Sequence, residues 1–366
     1  MKIIVLGTRG IPDVPGGVET HCEELYPVLV NDFNHDITVV GRSCYTRNKN
    51  TGMFRGVRLK NIYAPKHKAL EAIVHSALAI FYAAVKRPDL IHIHAVGPNL
   101  VTPLARLLGL KVVMTHHGPD YERKKWGKMA KLFLKAGERA GVRYSNEVVV
   151  ISEEIRKGIA KKYGRKDAVL IPNGVSIKAR PAFSAAALEL YGLQPYQYIF
   201  TLGRFVPEKG FDYLIAAFRE SGLSDRFKLV IAGDADHASA YSEALKEQAK
   251  AAGVILTGFI KGAALEQLFS NCALFVLPSF YEGLPIALLE AMAYGLPIIA
   301  SDIPANTQVG LDPEHYFPVG DEAVLTDKLQ QFIESGIAGR HIVYDMEAYD
   351  WSNIAEKTDQ VYRSMM

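Results

Sequence analysis

Short apolar runs of strand type alternate with stretches of helical period along most of the chain. Strand-type runs fall at residues 2–7, 36–40, 89–94, 111–115 and 147–151, with helical stretches at 18–31, 69–86, 99–108 and 123–142 between them. The alternation restarts at 198–203 and continues through strands at 228–232, 254–257, 273–277 and 297–300, with helices at 211–219, 241–252 and 264–269. Strands that alternate with helices predict parallel sheets covered on both faces, an α/β architecture whose ligand loops leave the carboxyl ends of the strands. Between the two series, Ile171-Pro172-Asn173-Gly174-Val175 and Arg180-Pro181 cluster turn residues where a hinge would fall. This places a domain boundary near residue 178, giving domains of residues 1–178 and 179–345, with a cleft between them as the expected site.

The 366 residues, 49% of them hydrophobic, suffice for two cores. A net charge of +3 forces no nucleic-acid role, and none is expected. Cys22, Cys44 and Cys272 are odd in number and lack metal-ligand spacing, which points to a reducing compartment, the cytoplasm. The apolar run after Met1 reads as a first strand rather than a signal-peptide core. The longest apolar stretch, 72–85, is interrupted by His75 and Ser76 and is shorter than the ~20 residues that span a bilayer, so it is expected as a buried helix.

Residues 278–293 carry the densest chemistry. A strand-type run precedes Pro278-Ser279-Phe280-Tyr281-Glu282-Gly283-Leu284-Pro285, and a helical pattern follows with Pro285 suited to its first position. Glu282 then lies in a loop and Glu290 about two turns into the helix, at ~3.6 residues per turn. Helix-start amides favour phosphate or carboxylate between them. A capping Glu282 and a solvated Glu290 would be the bland explanation, but Glu290 is flanked by Leu288, Leu289, Ala291 and Met292, where an unpaired carboxylate is costly.

Elsewhere, Gly16-Gly17 ends a loop after the first strand and lets backbone amides approach a diphosphate; it fits neither a dinucleotide fingerprint nor a Walker A loop. His92 and His94 alternate in a strand, with a helical His21 far away in sequence, and such histidines are more often satisfied core groups than ligands. Of His116 and His117, one is expected to point into the sheet and the other at substrate. Lys124, Lys128, Lys131 and Lys135 recur on one helical face, with Trp126, Leu132 and Phe133 elsewhere; the face is either solvated or attracted to anionic lipid. Arg204 and Lys209 lie in a loop after a strand, where two cations can clamp a diphosphate. Asp234-Ala235-Asp236 carries little metal weight without further carboxylates.

Taken together, these motifs resemble the family 4 glycosyltransferases, retaining sugar-nucleotide enzymes of the GT-B fold. The matching residues are Gly203-Arg204 with Lys209-Gly210, Ile231-Ala232-Gly233-Asp234, Thr257-Gly258-Phe259, the Glu282…Glu290 pair with seven residues between, Gly16-Gly17-Val18-Glu19, Thr115-x-His117-Gly118, Ser152-Glu153 and Ile171-Pro172-Asn173-Gly174-Val175. The tail from Tyr349 looks like the family's terminal helix, which returns to the first domain, so residues from about 346 to 366 are assigned there. The resemblance implies that Arg204 and Lys209 hold the donor diphosphate, with Gly16 and Gly17 offering amides to it. Glu290 would bind the ribose, and Glu282, with amides near Gly283 and Leu284, the transferred sugar. His117 would sit beside that sugar, and Phe259 and Ile260 would line the base site. No cofactor or metal is implied. The family resemblance implies a UDP-sugar donor, with GDP the next choice; the opening motif also resembles bacterial members that build surface polysaccharides on a lipid carrier, which implies a glycan or lipid-linked acceptor and contact of the Lys124–Lys135 face with the membrane's inner surface. Two other functions fit less of the pattern: a GT-B sugar-nucleotide epimerase, which would not need this glutamate pair with the Arg204/Lys209 loop, and a non-catalytic nucleotide-sugar-binding subunit.

Overall fold

The N-terminal half folds around an eight-stranded sheet. Its elements are β1 (Lys2–Leu6), α1 (Gly17–Asn31), β2 (Asp36–Arg42), β3 (Gly52–Phe54), β4 (Val57–Ile62), α2 (Glu71–Lys86), β5 (Leu90–His94), α3 (Thr102–Leu107), β6 (Val112–His116), α4 (Lys128–Tyr144), β7 (Glu147–Val150), α5 (Glu153–Tyr163) and β8 (Val169–Leu170). The strand order is β3-β4-β2-β1-β5-β6-β7-β8, parallel except for β3 against β4. This is a computed structural model, and it describes all residues except 46–51, 66–70, 123–126, 177–180, 182, 236–237 and 338.

A second, six-stranded parallel sheet follows. Its elements are α6 (Ala186–Glu189), β9 (Tyr198–Leu202), α7 (Phe211–Glu220), β10 (Lys228–Ala232), α8 (Ala240–Ala251), β11 (Ile255–Gly258), α9 (Gly262–Ser270), β12 (Leu274–Leu277), α10 (Ile286–Ala293), β13 (Ile298–Ser301), α11 (Pro304–Thr307), β14 (Tyr316–Phe317) and α12 (Glu322–Glu334). The strands run β11-β10-β9-β12-β13-β14. The last helix, α13 (Trp351–Arg363), belongs to the first sheet's unit. The chain thus forms two units, Met1–Gly174 with Glu347–Met366, and Val175–Met346. Residue 178, the boundary expected from sequence, lies outside the described residues.

Alternation along each strand sends residues to opposite faces. In the first unit Ile3 and Val5 meet α1 and α13, whereas Ile4, Leu6, Ile91 and Ile93 meet α2 and α3. Trp351, Ile354, Ala355 and Tyr362 bury one stripe of α13 against Leu25, Tyr26 and Leu29 of α1. The Trp351 ring lies over Gly174, where an added Cβ would stand 2.5 Å from it, so a side chain there would expel the tryptophan. Asp350 caps this helix by accepting from the Ser352 amide at 2.8 Å.

Two expectations need correction. The stretch 72–85 forms α2 but is not buried all round: Leu78, Phe81 and Val85 are exposed, the last by 81%. Helix α4 begins at Lys128 rather than at residue 123, and Arg123 to Trp126, including Lys124, lie outside the described residues. Leu132, expected away from the lysines, shares their exposed side, with Met129, Lys128 and Lys135 beside it. Among the described residues no helix is long and apolar enough to cross a membrane.

Candidate active site

The second sheet reverses its strand order between β9 and β12, and ligand loops of open α/β sheets gather at such a switch point. The loop after β9 holds Arg204 and Lys209; the loop after β12 holds Ser279, Glu282, Gly283 and Leu284. Lys209 Nζ donates to Glu282 Oε1 at 2.5 Å, and Ser279 Oγ donates to the same oxygen at 2.7 Å. Both members of the ion pair are mostly buried, at 18% and 13% exposure. The pairing is built into the backbone, because the Phe280 amide donates to the Glu208 carbonyl at 2.9 Å and ties the two loops together. Gly210 takes a left-handed φ of 66° where a Cβ would lie 2.4 Å from the Pro278 carbonyl oxygen, so the close approach requires glycine.

Helix α10 starts at Ile286, and Pro285 stands one place earlier than expected, as its cap, with extended backbone. Glu290 lies half-buried on the second turn, with Leu288, Leu289, Ala291 and Met292 buried around it. Phe259 is exposed beside half-buried Ile260, and Lys261 Nζ sits 5.2 Å from the Phe259 ring centroid. Asp234 pairs with Lys246 Nζ at 3.1 Å, while Asp236 lies outside the described residues.

The first sheet switches between β1 and β5. The loop after β1 crosses the end of β5 so closely that a Cβ on Gly7 would stand 2.2 Å from the His94 carbonyl oxygen. Glu19, buried on the first turn of α1, accepts from the Arg9 amide at 2.9 Å and pairs with the Arg9 guanidinium at 3.2 Å. Gly16 is hemmed in by this pair, whereas a Cβ on Gly17 would meet nothing within 4 Å. Gly17 therefore has open space on its side-chain face.

After β6 the two histidines part. His116 turns inward, its Nε2 3.0 Å from Glu138 Oε1. Glu138 also accepts from Tyr121 at 3.0 Å and from Lys162 and Tyr163. Burial alone would raise its carboxyl pKa, but the hydrogen bonds from His116, Lys162 and Tyr163 outweigh it and hold the group at about 2. This buried carboxylate anchors the loop from which His117 projects, half-buried, toward His94, with 2.9 Å between His117 Nε2 and His94 Nδ1.

His21, set aside on sequence grounds as distant, is brought into the same group, its ring centroid 5.0 Å from that of His117 and 5.5 Å from that of His94. Behind them Tyr26 Oη bridges His94 Nε2 and His92 Nδ1, the latter at 3.1 Å, and His92 also meets Tyr362 at 2.6 Å and Thr115 at 2.7 Å. Burial, reinforced by neighbouring imidazoles, lowers the pKa of His92 and His117 to about 3 and those of His21 and His94 well below 6.5. All four are neutral at pH 7. Sequence could have placed His92 and His94 on one face of a strand, but nothing in it shows that α1 brings His21 against them.

Two doubly wound units, each with polar side chains and glycines at its switch point, have the GT-B architecture. Residues 15–179 match the family described as Glycosyltransferase Family 4, and residues 193–347 match Glycosyl transferases group 1. An uncharacterized glycosyltransferase of Methanocaldococcus jannaschii is 25% identical across all of this chain and 99% of its own length. The phosphatidyl-myo-inositol mannosyltransferase of Mycobacterium leprae is 33% identical over 59% of each chain. Among solved structures, the Anabaena HepE protein in complex with UDP-glucose superposes with a TM-score of 0.79 over the whole of both chains, at 17% identity. The chain belongs to the family 4 glycosyltransferases.

Proposed function

We propose that this glycosyltransferase moves a hexose-type sugar from a UDP-sugar to a hydroxyl of a glycan or lipid-linked acceptor, with retention and without a metal, in building a bacterial surface polysaccharide. The observation that carries the reading is the Lys209–Glu282–Ser279 cluster, with Arg204 on the same loop as Lys209, at the switch point of the second sheet. Arg204 and Lys209 hold the diphosphate and stabilise the charge that develops on it as the C1–O bond loosens, the part a metal plays elsewhere. Gly16 and Gly17 offer amides, Glu290 binds the ribose, and Phe259 with Ile260 lines the base. Glu282, with the Gly283 and Leu284 amides, orients the sugar while the acceptor attacks from the face the nucleotide leaves. A neutral His117 hydrogen-bonds the sugar without adding positive charge.

UDP is favoured because the HepE structure contains UDP-glucose, and a lipid acceptor because the Mycobacterium leprae relative is named for one. The exposed face of α4 suits a membrane surface. Met129 and Leu132, 80% and 64% exposed, stand among Lys128, Lys135 and Arg139, so apolar side chains can enter the headgroup layer while cations meet anionic lipid, at about 1 kcal/mol per basic residue. Lys131 lies half-buried on the same helix.

Thermal-shift titration against UDP, GDP, dTDP and their sugar conjugates tests the donor assignment, since a ligand of the native state raises stability by mass action. A shift confined to the uridine series is expected. A shift with GDP alone would replace the base, and none with any series would remove the assignment of Arg204, Lys209 and Glu290.

A further inference from the structure

We propose that His21, His94 and His117 form a binding site for a divalent transition metal of the zinc class, and that its occupancy inhibits transfer by taking His117 out of the reaction. The metal-binding half stands by itself; the inhibitory half rests on the place given to His117 beside the sugar.

One nitrogen from each of the three rings lies within 4.8 Å of the other two. Tetrahedral zinc holds imidazole nitrogens at 2.0–2.1 Å from the metal, and so about 3.3 Å from each other. His94 Nδ1 and His117 Nε2 are 2.9 Å apart, so two of the three ligands need to separate by only a few tenths of an ångström, and His21 has to close in. The His21 ring interacts with the Asn173 side chain, and its buried Nδ1 forms no hydrogen bond of good geometry among the described residues, so a nitrogen is within reach of a metal.

Each ligating nitrogen must be free of its hydrogen when a cation binds. In the metal-free chain one hydrogen lies between His94 and His117. When a metal takes its place, that hydrogen moves to the far nitrogen of the ring that carried it. On His94 the far nitrogen is Nε2, which faces the Tyr26 hydroxyl, and that hydroxyl can accept from His94 while donating to His92 Nδ1 at 3.1 Å. This is the outer-sphere bond that orients most metal-binding histidines. A donor set of three imidazoles without a carboxylate selects zinc, copper, nickel or cobalt over magnesium or calcium. His117 is the most exposed of the three, and the metal enters from its side. Because the charge of the leaving diphosphate is already met by Arg204 and Lys209, a cation tied to His117 removes a sugar contact without supplying a needed one.

The test uses the full chain stripped with a chelator. Titration with Co²⁺ should give the visible absorption of a tetrahedral site saturating at one ion per chain, and Zn²⁺ should abolish it by competition. The spectrum should be lost in His21→Ala. In Tyr26→Phe, which keeps the buried ring, the affinity should fall about 10- to 100-fold, the usual effect of deleting an outer-sphere partner. Circular dichroism establishes that both variants are folded. The absence of such a spectrum in the wild-type chain, or a spectrum unchanged in folded His21→Ala, would overturn the site. Zinc should also suppress transfer reversibly, with chelator restoring it. Stoichiometric binding with transfer unaffected would overturn the inhibitory half and with it the place of His117, leaving the Arg204/Lys209 assignment to be judged by the donor titrations.

Discussion

Replacing Lys209 by alanine separates the catalytic reading of the second unit from a structural one. Lys209 and Ser279 both donate to Glu282 Oε1, at 2.5 and 2.7 Å. Lys209→Ala leaves a carboxylate with 13% side-chain exposure holding one neutral donor, which should lower unfolding free energy by roughly 1–3 kcal/mol. A marginal loss of that size leaves most chains folded at 25 °C. Turnover should respond far more. Removing a group that meets developing transition-state charge typically costs ~100- to 1,000-fold in kcat, roughly 3–4 kcal/mol. Glu282→Gln makes the comparison sharp. It frees Lys209 from its partner, so UDP should bind more tightly by about 1 kcal/mol, or about fivefold in Kd, while transfer falls because the sugar loses a hydroxyl acceptor. Urea denaturation, calorimetry with UDP and a coupled UDP-release assay supply the three numbers. A folded Lys209→Ala chain with kcat within threefold of wild type would refute the reasoning, as would Glu282→Gln binding UDP more weakly.

Three further outcomes follow from the first unit. Trp351→Ala should destabilise the chain by about 3–5 kcal/mol in urea denaturation, since the ring fills the space over Gly174 beside His21. Acid should weaken the fold: His92 and His117 have native values near 3, so below about 6.5 the unfolded chain binds more protons, and stability falls as pH drops from 6.5 toward 3. At pH 5 each of these two histidines should cost about 2 kcal/mol, and a melting temperature unchanged between pH 7 and pH 5 would contradict the burial described. Reversing Lys128 and Lys135 to glutamate should release the protein from anionic vesicles in a sedimentation assay, and retention would exclude α4 as the docking helix.

Much of the fold was legible because buried parallel strands read as continuous apolar runs; β1, β5, β6, β9, β10 and β12 all fall where such runs lie. The strands β3 and β4 were not, since Val57–Ile62, next to the edge strand β3, mixes Arg58, Lys60 and Asn61 with its apolar residues and is only partly buried. Helix α12 was missed for another reason. Its stripe of Leu325, Leu329, Phe332 and Ile333 was present in the pattern, but no motif drew attention to it. The exposed side of α2 was hidden because Leu78, Phe81 and Val85 look the same in sequence whether they face a sheet or a bilayer. At the site, residue types were readable and partnerships were not. Lys209 and Glu282 are 73 residues apart, and only the adjacency of β9 and β12 brings them together. The same holds for His21, His94 and His117, which come from α1, β5 and the loop after β6.

The most direct test of the account is the product of a single reaction: the purified chain, a UDP-sugar, a lipid-linked acceptor and a magnesium chelator, followed by proton NMR at the anomeric position. The account predicts acceptor-dependent release of UDP and a new glycosidic signal with the donor's α configuration. A β product would contradict retention, conversion of the donor without acceptor would point to an epimerase, and an intact donor across the uridine, guanosine and thymidine series would contradict transfer itself.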